Sequence, residues 1–244
     1  MKTNKIFLTL ITALIIFILS NNSIFSDAII KEVKKGNLEK VKEYLENEGD
    51  VNTADNSGTT LLIAACKNNN IDIFNEVIKY DPDINKPDKN GDSPIHHAVL
   101  INNKYMLDVL IEKGADFDLK NKFDYTPLAI AARLGAVEIL KALIEKGANV
   151  NSKLAFNNTP LISAARYGQV ESIKLLLENN ANINDINSRE RSAIIIALRA
   201  EQFEAVKTLL GYNPDLTIKD QNGLTAYFYA KKSRNKEIIE LFKE

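Results

Sequence analysis

His96 and His97 are the only histidines in the 244-residue chain, and Cys66 is its only cysteine. Metal or nucleophile chemistry would have to be built around them. A tetrahedral metal site needs convergent ligands, and one adjacent histidine pair without a Cys or carboxylate cluster does not supply them. A Ser/His/Asp device would need one of these histidines and a serine on a strained turn, and no nearby serine has that setting. Phosphate-loop, zinc and dinucleotide spacings are absent from the sequence. Cys66 lies in LLIAACKN beside two alanines, which reads as a buried, inert thiol, and a lone cysteine forms no internal disulfide. DNSG (55–58), DKNG (88–91) and DQNG (220–223) start like calcium loops, but none continues to a twelve-residue loop with a closing glutamate. Asn and Gly at such tips are what tight turns require. No catalytic, cofactor or metal residue is expected, and the chain is not expected to be an enzyme.

The elements that would position any functional residue are legible in residues 125–151, YTPLAIAARLGAVEILKALIEKGANVN. Thr126 can cap a helix with its hydroxyl, and Pro127 suits the first helical position, where no backbone donor is needed. Ala129, Ala131 and Ala132 follow, and Gly135 ends the run. A second segment places Val137, Leu140, Leu143 and Ile144 on one face, opposite Glu138, Lys141 and Glu145; Gly147 stops it. The stretch predicts a short helix, a tight turn and a longer amphipathic helix. Neither helix can bury its apolar face alone.

Similar units begin at Thr60, Ser93, Thr126, Thr159, Ser192 and Thr225, each 33 residues from the last with no insertion or deletion. A hydroxyl stands at every start, while the following proline survives at Pro94, Pro127 and Pro160. A constant period with a tolerant sequence is the mark of a stacking constraint, because a lengthened unit would fall out of line with its neighbours. The motifs TLLIAA, SPIHHA, TPLAIA, TPLISA, SAIIIA and TAYFYA, closed by GADFD, GANVN and NANIN, resemble the ankyrin repeat family. The resemblance implies an all-α solenoid of stacked helix pairs joined by β-hairpin loops, with a concave groove that binds other proteins. It gives His96 a structural hydrogen-bonding role in its turn.

In register, the repeats are expected at about 27–53, 54–86, 87–119, 120–152, 153–185, 186–218 and 219–244. The first is partial, with Lys31, Glu32, Lys34 and Lys35 as a solvated end cap. The hairpin glycine present at Gly58, Gly91 and Gly223 is replaced by Asp124, Asn157 and Glu190. Glu tolerates the left-handed region poorly. Repeat 186–218 also lacks the proline and ends on NPD, so it is expected to be the most distorted unit.

The resemblance places the end of each first helix and the hairpin tips on the binding face. Lys34, Lys67, Leu100, Arg133, Arg166, Arg199 and Lys232 stand there, 33 apart, and all but Leu100 are basic. With adjacent helices about 8–10 Å apart, they would form a ladder of positive charge. The tips add Lys89, Lys120, Lys122, Lys153, Arg189, Arg191 and Lys219. Phe123, Tyr125, Phe156 and Tyr167 lie among them, and aromatics beside arginines are the usual composition of an interface hot spot. The expected partner-binding residues are Lys67, Phe123, Tyr125, Arg133, Phe156, Arg166, Tyr167, Arg189, Arg199 and Lys232, facing an acidic partner surface. Solvated basic residues and aromatics packed between neighbouring hairpins are the plain alternative.

At the N-terminus, Lys2 and Lys5 precede a 14-residue apolar run, Ile6 to Leu19, and then Ser20, Asn21, Asn22 and Ser23. That layout reads as a secretory signal peptide over residues 1–26 with cleavage after Ser26, or as an anchor if it stays uncleaved. A spanning helix needs about 20 apolar residues, so the run is short for one. Removing it takes away two lysines and moves the formal net charge from −1 to −3, which points away from nucleic acid. The expected protein is an exported, monomeric, non-enzymatic scaffold, 27–244, periplasmic or secreted, that binds an as yet unidentified protein. The alternative is a binder of an anionic envelope polymer or other anionic ligand through the basic ladder.

Overall fold

The computed structural model describes residues 25–243; the apolar run at 6–19 lies outside the described residues. The described chain divides after Lys89 into two compact units. The first holds α1 (25–35), α2 (Leu38–Glu46), α3 (Leu61–Lys67) and α4 (Ile71–Ile78). The second holds α5 (Pro94–Leu100), α6 (Lys104–Glu112), α7 (Pro127–Leu134), α8 (Val137–Glu145), α9 (Pro160–Arg166) and α10 (Val170–Glu178). It continues through α11 (Ala193–Arg199), α12 (Phe203–Leu210), α13 (Ala226–Lys231) and α14 (Lys236–Leu241). No strand occurs among the described residues; one isolated antiparallel bridge joins Ala54 and Thr60. None of the described helices is long and apolar enough to cross a membrane.

Each unit is a stack of helix pairs. In the second, α7 packs on α5, α8 and α9, and α11 on α9, α12 and α13. Ala129, Ala131 and Ala132 are fully buried, which lets α7 come close to its neighbours on two sides. On α8 the buried face is Ile139, Leu140, Ala142 and Leu143, while Val137 and Ile144 are only half-buried. The buried stripe is thus turned toward Ile139 and Ala142 relative to the pattern read from the sequence.

The helix starts follow the hydroxyl pattern only in part. Thr60, Thr126 and Thr159 accept hydrogen bonds from the backbone N–H of Ile63, Ala129 and Ile162 at 3.1–3.2 Å. Ser93 instead works with His96. Nε2 of His96 donates to the Tyr125 carbonyl at 3.2 Å, so Nδ1 accepts from the Ser93 backbone N–H at 3.2 Å and from its hydroxyl at 2.9 Å. Ser192 and Thr225 make no side-chain cap, and the buried Ser192 hydroxyl has no partner. Cys66 is fully buried, and that burial pushes its thiol pKa up, away from reactivity.

Successive loops are tied at their tips. The Lys122 N–H donates to the Asn90 carbonyl at 2.9 Å, as Ser188 does to Phe156 at 2.8 Å and Gln221 to Arg189 at 3.2 Å. Gly91 is closely approached here: its φ is +80°, and a Cβ there would sit 2.7 Å from the Lys122 nitrogen, whereas Asn157 and Glu190 hold the equivalent position in the other two tips. Replacing Thr126 or Thr159 with alanine is expected to lower unfolding free energy by about 1 kcal/mol each. Ser192→Ala should change it by less than about 0.5 kcal/mol, since no bond is lost. Urea titrations of the three variants check this ordering, and an equal loss at Ser192 would contradict it.

Candidate binding face

Four loops are closed by the same device, an Asp or Asn whose Oδ1 accepts two backbone N–H groups. Asp55 takes those of Ser57 and Thr59 at 2.9 and 3.0 Å, and Asn121 those of Phe123 and Tyr125 at 2.9 and 3.0 Å. Asn187 takes Arg189 and Arg191 at 2.9 and 3.2 Å, and Asp220 takes Asn222 and Leu224 at 2.9 and 3.2 Å. Asp124 and Glu190 adopt the left-handed conformation these turns demand, at φ +58° and +56°.

The second atom of that side chain decides the charge on the face. At two Asp positions Oδ2 reaches the basic rung 21 positions earlier, Lys34 with Asp55 at 3.1 Å and Lys67 with Asp88 at 3.4 Å; at Asp220 it instead takes Arg191 and the Tyr229 hydroxyl. Where it is Asn, the amide donates instead to the preceding loop. Asn121 Nδ2 donates to Asp92 at 2.8 Å and Asn187 Nδ2 to Asn158 at 3.1 Å. At the equivalent position 154 stands Leu154, with no polar atom. Arg133 and Arg166 consequently have no carboxylate partner among the described residues. Arg133 lies over the Tyr125 ring, its guanidinium carbon 5.0 Å from the ring centre, with Nε buried and unbonded.

Loop 153–158 departs from the others because Leu154 cannot clamp it. Its chain forms a 3-10 turn, Ala155–Asn157, with Phe156 and Asn157 both left-handed at φ +59° and +54°. The distortion expected in 186–218 therefore appears one loop earlier; around Asn187 the loop is regular. Phe156 is 79% exposed, Phe123 61% and Tyr167 51%, so none of the three fills a gap between hairpins. Tyr125 is half-buried.

Arg166, Arg189, Arg191 and Arg199 line one cleft of about 190 Å³, with Ile196 and Ala200. Arg191, read from the sequence as an exposed tip, is instead buried, and its Nε donates to Asp220 Oδ2 at 3.1 Å. Asp220 also accepts from the Tyr229 hydroxyl at 2.6 Å, and Arg199 reaches that hydroxyl at 3.1 Å while lying over the ring. Tyr229 escaped the sequence reading and Asp220 reads there only as part of a hairpin turn, although Asp at 55, 88 and 220 against Asn at 121 and 187 marks the difference at the repeat period. Lys232 lies over Phe228, 5.5 Å from the ring centre. Lys67 belongs to the first unit, apart from the residues just described.

Burial alone would raise the Asp220 carboxyl. The Tyr229 hydroxyl, the Asn222 and Leu224 N–H groups and Arg191 outweigh it and hold the pKa at about 2. Asp55 is also held at about 2, where bonds from Ser57, Lys34 and the Thr59 and Ser57 N–H groups overcome its desolvation.

A family model described as ankyrin repeats (three copies) matches residues 28–121 and 100–187. The crystal structure of the human ASB11 ankyrin repeat domain is similar to this chain with a TM-score of 0.78 at 21% identity, covering 88% of this chain and 97% of that one. Among curated proteins, none matches.

The depressed Asp220 pKa has a pH signature. An unfolded Asp titrates near 4, so between about pH 4 and 2 the unfolded chain binds more protons than the folded one. The stability Asp220 contributes is complete above about pH 4 and lost as pH falls through about 2. Asp220→Asn should therefore be less stable than wild type at pH 7, and the gap should close between pH 4 and 2. Thermal unfolding across that range measures it; a constant gap down to pH 2 would remove the carboxylate from this role.

Proposed function

Because the chain belongs to the ankyrin repeat family, we propose that it is an exported, non-enzymatic scaffold that binds another protein through the loop tips and first helices of its second unit. Ankyrin repeats typically serve as binding scaffolds, and fold alone does not choose a partner; the side chains on the face do. The observation that carries the reading is the exposure of Phe123, Phe156 and Tyr167 in repeats whose rungs, Arg133 and Arg166, have no carboxylate partner among the described residues. Exposed aromatics next to unpaired guanidiniums can give a partner apolar area and charge-assisted hydrogen bonds together. Phe156 adds a further argument. A bulky side chain in the left-handed region costs roughly 1–2 kcal/mol, and its exposed ring recovers none of that by packing in the free protein.

Export rests on Lys2, Lys5 and the apolar run from Ile6 to Leu19. In this reading residues 27–244 are the mature domain, made of seven helix pairs with the first one partial, and it acts as a monomer in the periplasm or outside the cell. N-terminal sequencing of the protein recovered from a fractionated cell should begin at Asp27. Recovery of the intact N-terminus in the membrane fraction would replace secretion with anchoring.

A second reading, an anionic polymer or small anion as the ligand, is favoured by one observation, the four-arginine cleft. The readings separate on the aromatics. If a protein partner is held, Phe123→Ala with Phe156→Ala should weaken its capture by at least about 2 kcal/mol, roughly thirty-fold. A purely charge-driven ligand should be lost on Arg133→Glu with Arg166→Glu and on raising salt, and be indifferent to the phenylalanines. Capture from an envelope extract by the wild-type chain and both double variants checks this. A partner retained by both variants would place the binding face elsewhere.

A further inference from the structure

The cleft between the end of α9, the 186–191 loop and the end of α11 has a charge the fold does not need. Arg166 and Arg189 have no ion-pair partner among the described residues, and Arg199 is held only by the neutral Tyr229 hydroxyl. Arg191 is neutralised by Asp220. Three of the four arginines lining the cleft thus have no carboxylate partner among the described residues. The C-terminal ends of α9 and α11 each contribute the equivalent of roughly half a negative charge, which reduces this excess but does not reverse it.

We propose that this cleft binds a compact, doubly charged tetrahedral oxyanion: inorganic phosphate or a terminal phosphoryl group. Its volume of about 190 Å³ lies below the roughly 300–1,000 Å³ of sites for drug-sized molecules. At about 30 Å³ per water it has room for about six waters, the scale of one oxyanion with part of its hydration. Guanidinium forks donate paired N–H groups that match phosphate oxygens, and several around one anion is a recurring solution for phosphoryl recognition. The excess charge selects a dianion over a single carboxylate, which would leave most of it uncompensated. Asn187 is what keeps the cleft charged. At 55 and 88 an Asp in the same position supplies the oxygen that neutralises the rung 21 residues back, whereas the Asn187 amide turns to Asn158.

The test titrates the full chain calorimetrically in low-salt, phosphate-free buffer with inorganic phosphate, O-phosphoserine, sulfate and acetate. Phosphate and sulfate should bind saturably, one per chain, and acetate at least ten-fold more weakly. The tighter of phosphate and O-phosphoserine tells a free from a tethered phosphoryl group. Arg166→Ala and Arg199→Ala, both at exposed positions, should each weaken phosphate at least ten-fold. Arg166→Lys should weaken it less, keeping the charge and losing the fork. Asn187→Asp should abolish most of the binding while circular dichroism shows the helices intact, because Asp closes this turn natively at 55 and 220. Lys141→Ala, on the outward side of α8, should bind as wild type. No saturation by phosphate, or wild-type affinity in the Arg166→Ala/Arg199→Ala double variant, overturns the proposal. Acetate binding as tightly as phosphate also overturns it, in favour of an acidic side chain of a partner protein. Failure here leaves the protein-binding reading intact, since that depends on Phe123 and Phe156, which do not line the cleft.

Discussion

Most loops of the binding face depend on one interaction, the acceptance of two backbone N–H groups by Oδ1 of an Asp or Asn at the start of the loop. At Asp55, Asn121, Asn187 and Asp220 the oxygen bonds the residues two and four positions on. A loop without strands has few other internal partners for those donors, and an unpaired buried donor costs about 1–3 kcal/mol. The clamp also aims the loop tip, so that its N–H meets the carbonyl of the preceding tip. The 33-residue period follows from this. An added residue would break the clamp, the tip-to-tip bond and the helix stacking at once, so side chains vary while length does not.

The same side chain has one more polar atom, and its identity turns a structural device into an electrostatic one. Asp and Asn close the turn equally well through Oδ1. Asp then offers an acceptor, taken by a rung lysine at 55 and 88 and by Arg191 and Tyr229 at 220; Asn offers a donor, and it turns to the neighbouring loop. A change of one atom type, neutral for the fold, thus decides at Lys34, Lys67 and Arg166 whether the basic rung is paired or free. Exposed pairs such as Lys34 with Asp55 add little to stability, typically below about 1 kcal/mol. Their consequence is for the potential of the face. Arg133 and Arg166 stay unpaired because Leu154 and Asn187 stand 21 positions on, where Lys34 and Lys67 find Asp55 and Asp88.

The fold was legible in the sequence because it rests on local, repeated chemistry. Thr126 and Pro127 announce a helix start, Gly135 and Gly147 announce stops, and the register repeats them. Less was legible where a side chain has two acceptable partners. Ser192 looks like a cap but leaves its hydroxyl unbonded. Arg191 looks like an exposed tip residue, yet Asp220, 29 positions on, draws it into a buried pair. The stripe on α8 is rotated because Ala142, unremarkable in an apolar pattern, is small enough to face the next pair. The candidate site was visible as spacing, basic residues 33 apart with aromatics between them, but not as charge. Neutralisation is settled by the choice of Oδ2 or Nδ2 on a loop residue 21 or 29 positions on, and by which cation takes it, and a count of lysines and arginines does not contain it.

Loop 153–158 shows how far the scaffold can be relaxed in favour of the surface. It gives up the clamp at Leu154, which turns an apolar side chain inward in place of an oxygen. It then holds two consecutive residues left-handed, one of them a phenylalanine, where L-residues with bulky side chains are least at ease. Stability would favour Asn or Gly there, and Gly223 occupies the equivalent region at φ +73° with nothing against it. Strain of this kind persists where something other than the fold selects the residue. The ring is the most exposed of the large apolar side chains in the described structure, and its loop belongs to the repeat whose rung is Arg166. Conformational cost, lost clamp and unneutralised charge coincide in one stretch of the second unit, and it is there that the chain departs from what stacking alone requires.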